Sequence, residues 1–149
     1  MKRKIPSVVL VLLSMILVPA CWAGENLDRF NFSSGSPLEF LAFLKINRTQ
    51  KTYTIHEPIL NWVKTEHISS LVTLLESEDE CMAVVLESSS RIRLGSTIGD
   101  EAAFLIAGFR AGKYPASLNS ERLGETKKDE ILKWQADHFS IKHIQGPEM

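Results

Sequence analysis

Along much of the chain, apolar residues recur three and four positions apart, in runs divided by short polar breaks. The clearest run is Ile68, Leu71, Val72 and Leu75, the stripe of an amphipathic helix that Thr65 caps and that ends near Glu76. Ser77-Glu78-Asp79-Glu80 has the spacing of a capping box, so Met82, Val85, Leu86 and Ser89 read as the inward stripe of a second helix. The short acidic turn between the two predicts an antiparallel αα-hairpin. Thr97, with Asp100 three residues on, starts a third helix striped by Ala102, Leu105, Ile106 and Phe109. Gly112 suits the left-handed position beyond its last turn, and Pro115 prevents continuation.

The flanks follow the same logic. Ser36-Pro37-Leu38-Glu39 combines a capping serine, a proline in the first turn and a glutamate three residues after the cap, predicting a helix that ends near Asn47. Arg48 to Ile55 alternates loosely and carries Thr and Tyr, but no partner strand is evident, so it reads as a loop. His56-Glu57-Pro58 opens a short helix with Ile59, Leu60, Trp62 and Val63 on its apolar side. Thr126 caps a last helix whose broad face holds Ile131, Leu132, Gln135 and Phe139, after which Ile141 and Ile144 dock back. The expected fold class is all-α: about six helices in one domain over 36–145, between a flexible leader at 24–35 and a frayed end at 146–149.

Four features together resemble a HEAT-type helical repeat unit over roughly residues 65–112: the Ile68-Leu71-Val72-Leu75 stripe, the acidic turn Ser77 to Glu80, the Met82-Val85-Leu86 stripe and the Gly99-Asp100-Glu101-Ala102 helix start. The resemblance implies a helical module with a protein-binding surface.

The N-terminus changes the picture of where the chain acts. Lys2, Arg3 and Lys4 precede an uncharged apolar run from Ile5 to Val18, with small residues following at Ala20 and Ala23, the layout of a secretory signal peptide over 1–23. Cleavage before Gly24 discards Cys21. Val18-Pro19-Ala20-Cys21 also resembles a bacterial lipobox, in which Cys21 would be lipidated and would anchor the protein; Pro19 and Trp22 depart from that pattern. Either outcome leaves Cys81 as the one usable thiol and places the protein in the periplasm or envelope of a bacterium, held together by its core rather than by a disulfide. In a bacterial host the glycosylation triplets at Asn31 and Asn47 are chance matches.

Charge excludes one class of partner. The chain has 17 Lys plus Arg and 18 Asp plus Glu; removing Lys2, Arg3 and Lys4 leaves 14 against 18, a net of −4. No basic stripe interleaved with aromatics remains, so nucleic acid is not an expected partner. His56, His67, His138 and His143 lack metal-ligand spacing, and no cofactor motif is present. Cys81 follows Glu78, Asp79 and Glu80, acids that disfavour a thiolate, so it reads as a packed thiol rather than a nucleophile. Glu57, Glu66, Glu76, Asp100 and Glu101 could pair for acid–base hydrolysis, but helix starts and solvent faces account for most of them.

Binding is therefore favoured over catalysis. Among the aromatics, Trp62 and Phe109 fall on apolar stripes and read as core. The candidate partner-binding residues are Arg91, Arg93, Arg110, Lys113 and Tyr114, a basic and aromatic patch flanking the central helices. The expected function is an exported protein-binding or scaffold module. An envelope inhibitor or immunity protein against a toxin or hydrolase is the alternative, and a hydrolase using paired carboxylates the third.

Overall fold

The computed structural model describes residues 29–139. The expected signal peptide with Cys21, the start of the expected leader, His143 and the tail with Ile141 and Ile144 lie outside the described residues. Four helices and six short strands alternate: α1 (Pro37–Ile46), β1 (Thr52–Ile55), β2 (Ile59–Leu60), α2 (Thr65–Thr73), β3 (Glu80–Cys81), β4 (Ala83–Leu86), β5 (Ser96–Thr97), α3 (Ile98–Ala111), β6 (Lys113–Tyr114) and α4 (Glu125–Phe139). The fold is mixed α and β, which overturns the all-α expectation and, with it, the HEAT-like repeat.

The two helices with complete end signals form as those signals direct. Ser36 Oγ accepts the N–H of Glu39, and the Glu39 carboxylate accepts the N–H of Ser36 at 2.7 Å, closing the capping box of α1. Thr97 Oγ1 accepts the N–H of Asp100, and α3 ends on Gly112 at φ +67°. α3 is the axis of the molecule: it packs against α1 and α2, and ten of its residues, from Ile98 to Gly108, are buried. Gly99 permits this, because a Cβ there would lie 2.5 Å from the carbonyl oxygen of Leu75 and 2.9 Å from that of Ser77. The α2–β3 turn thus rests directly on the start of α3.

The second predicted helix is where the reading fails. Met82, Ala83, Val84 and Val85 are all buried, and Ala83–Leu86 forms β4, paired in parallel with β1 from Thr52↔Ala83 to Ile55↔Leu86. On its other side β4 meets the segment at Asn119, where Ser120 N–H donates to the Val84 carbonyl and Leu86 N–H to that of Leu118. A strand enclosed on every side shows a continuous apolar run instead of alternation, and Val84-Val85 is β-branched. The supposed capping box is a turn: Ser77 Oγ accepts from Asp79 N–H, and Asp79 takes Lys45 at 2.7 Å. The segment read as a loop is therefore β1.

The expected helix after Pro58 is also a strand, since Ile59 and Leu60 pair antiparallel with Tyr114 and Lys113. α2 is shorter than its stripe suggested, ending at Thr73. The end of the leader is docked: Phe30 and Phe32 pack on Phe40 and Trp62 with ring centroids 4.8–6.1 Å apart, and the Trp62 indole donates to the Gly35 carbonyl.

Candidate functional site

The open side of β1 is set by its register with β4. Ala83 N–H donates to Lys51 and Glu87 N–H to Ile55, so the odd-numbered backbone groups of β1 face β4 and those of Thr52 and Thr54 face away. No backbone partner for Thr52 or Thr54 exists among the described residues. Tyr53 and Ile55 point into the core, while Thr54 is exposed. Along this edge runs a groove of about 370 Å³, walled by Gln50 and Thr52 through Glu57 on one side and by Arg29, Phe30, Phe32 and Ile59 on the other. The Phe30 N–H donates to the Tyr53 hydroxyl at 3.0 Å, fixing the far wall. A row of unpaired amides and carbonyls beside an apolar trough suits an extended polypeptide.

Inside the molecule lies a second unusual group. Asp100 and Glu101 are adjacent in the first turn of α3, the helix start expected for them, and both are buried there. Asp100 is fully engaged: one oxygen accepts the N–H of Leu123 at 2.7 Å and the other pairs with Arg93. Glu101 is wholly enclosed. Its nearest polar neighbours are the Ser120 and Ser96 hydroxyls and the Val84 N–H, which favour the anion, yet neither carboxyl oxygen completes a well-formed hydrogen bond among the described residues. Burial therefore dominates and pushes the carboxyl up to about 7. Cys81 stands nearby, its thiol pushed up to about 12 by burial first and the charges of Glu101 and Asp100 second, so it stays protonated.

Hydroxyls rather than bases surround the buried carboxyl. Ser96, Ser120 and the Tyr114 hydroxyl are buried beside Glu101, and no histidine among the described residues is within the group. His56 pairs with Glu87 on the surface, His67 Nδ1 accepts the N–H of Lys64 at the start of α2, and His138 contacts the Trp134 carbonyl. Glu76 is held by Lys128, while Glu57 and Glu66 are exposed. Among the described residues no three His, Cys, Asp or Glu side chains are placed to hold a metal.

The structure disperses the patch proposed from the sequence. Arg91 is exposed on the loop after β4, and Lys113 is exposed at β6. Arg93 leans in to Asp100, and Arg110 pairs with Glu130 while lying over the Trp134 ring. Tyr114 is 1% exposed and belongs to the core. The groove residues were missed, although the alternation Thr52-Tyr53-Thr54-Ile55 was their signal. No family model, curated protein or solved structure matches this chain.

Proposed function

We propose that this protein is a partner-binding module of the bacterial envelope that receives an extended segment of another protein on the open edge of β1. The observation that carries the reading is the outward-facing backbone of Thr52 and Thr54 beside the aromatic-walled groove. Strand addition draws affinity from main-chain hydrogen bonds and specificity from pockets for alternate side chains. Phe30, Phe32 and Ile59 supply such a pocket, with Arg29 and Glu57 at its rim. The basic N-terminal residues Lys2 to Lys4 and the apolar run after them support the location.

Proline at an outward-facing edge position removes one donor without breaking the internal ladder. Affinity capture from the host envelope with the wild type and with Thr54→Pro is the test. The expected result is a partner retained by the wild type and lost by a Thr54→Pro protein of unchanged circular dichroism. Protection of the Thr52 and Thr54 amides from hydrogen exchange in the complex would locate the added strand; equal capture by both proteins would overturn the reading.

A further inference from the structure

A cavity of about 250 Å³ opens beside the start of α3 and shares no residue with the β1 groove. Four cationic side chains reach it from three separate stretches: Arg48 and Lys51 from the connection between α1 and β1, Arg93 from the loop before β5, and Arg122 from the segment before α4. Two acids also line it, Glu80 and Asp100, and the Asp100 carboxylate is already consumed by Arg93 and the Leu123 N–H. Arg48, Lys51 and Arg122 form no ion pair among the described residues, whereas Lys45, Arg110, Lys127 and Lys128 elsewhere each do. A chain with more acids than bases thus gathers a local excess of two positive charges around one concavity.

Two further features mark the place as built. Arg93 spends Nη2 on Asp100, while its Nη1 is buried without a partner among the described residues. Lys51 adopts φ +66°, a left-handed conformation unfavourable for a lysine, and is held there because its carbonyl accepts both Ala83 N–H and Gly95 N–H at 2.9 Å. The positive end of the α3 dipole adds to the same field.

We propose that this cavity binds the phosphate group of a small phosphate monoester. Guanidinium forks from Arg48 and Arg122 suit tetrahedral oxyanions, and a dianion matches the excess of two charges where a single carboxylate would not. The volume leaves room for a small organic substituent. This site is independent of the β1 edge and stands whether or not that edge binds a partner.

The test titrates the protein with inorganic phosphate and with glycerol 3-phosphate at constant ionic strength, following backbone amide shifts. Saturable one-site binding is expected, with shifts centred on Lys51, Gly95 and Thr97. Arg48 and Arg122 are exposed and unpaired, so an Arg48→Gln/Arg122→Gln protein keeps its fold; it should bind about tenfold more weakly or worse, given the energy of hydrogen bonds to charged groups. Lys113→Gln should bind as the wild type does. Flotation with phosphatidylcholine vesicles containing phosphatidic acid separates the two sources of the group: flotation lost in the double variant assigns a lipid headgroup, and saturation by glycerol 3-phosphate without flotation assigns a free ester. Shifts that stay linear in phosphate, together with no flotation, or binding that the double variant retains in full, would overturn the proposal.

Discussion

β1 and β4 lie side by side in one parallel pair, four residues each, and their surroundings differ completely. β4 is closed: β1 covers one edge, the Leu118–Ser120 segment the other, and Ala83, Val84 and Val85 are buried. β1 is half open, with Thr54 exposed and the backbone of Thr52 and Thr54 turned to a groove. The difference separates two jobs within a single ladder. The closed strand, with Glu101 and Cys81 near it, holds the core together, while the open strand leaves backbone groups for something else to bind.

The same substitution on the two strands tests that division most directly. Ala83→Pro removes the N–H that donates to the Lys51 carbonyl at the start of the closed strand, where Ala83 is wholly buried, and should cost about 3 kcal/mol or more, measured by urea denaturation. If it proved harmless, β4 would not be the structural strand.

Next in size is the carboxyl enclosed on the closed side. Glu101 titrates near 7 when folded and near its ordinary 4.5 when unfolded, so the folded state holds the proton more tightly. Stability is then unaffected below about pH 4.5, falls as pH rises from there to about 7, and stays lowered above it. The full loss is about 3 kcal/mol, from the difference of about 2.5 pH units. Urea midpoints at pH 4.5, 6 and 8 should show this fall in the wild type relative to Glu101→Gln; a difference independent of pH would show that Glu101 is not held neutral by burial.

Gly99→Ala sharpens the comparison from the helix that the closed strand rests beside. Its Cβ would press on the carbonyls of Leu75 and Ser77, and a loss of about 1–3 kcal/mol is expected in the same assay. The smallest effect is on the open side. Thr54→Pro should change stability by less than about 0.5 kcal/mol, as a surface substitution outside the ladder does. A large loss there would mean that the edge is not free.

How far the sequence disclosed this arrangement depended on where each signal resides. The caps of α1 and α3 lie within four residues of chain, so Ser36 and Glu39, Thr97 and Asp100, and Gly112 were legible. Two local ambiguities are linked: Met82-Val85-Leu86 fits a helical stripe as well as a buried strand, and a helix there leaves Arg48–Ile55 without a partner strand, which predicts a loop. The candidate site suffered for the same reason, because the groove exists only where β1 has an edge. Arg93 was singled out for its charge, yet Arg48, Lys51 and Arg122 are far from it in sequence and join it only through the fold.

By itself, then, the sequence determined the ends of α1 and α3 and the clear stripe of α2, since backbone capping and local periodicity are short-range effects. Tertiary structure decided which apolar runs became strands, that Tyr114 is core, that Glu101 is buried, and which edge stays open. Each of those depends on what packs alongside from a distant part of the chain, and a run of apolar residues does not say whether its hydrogen bonds will close within the segment or across to a neighbour.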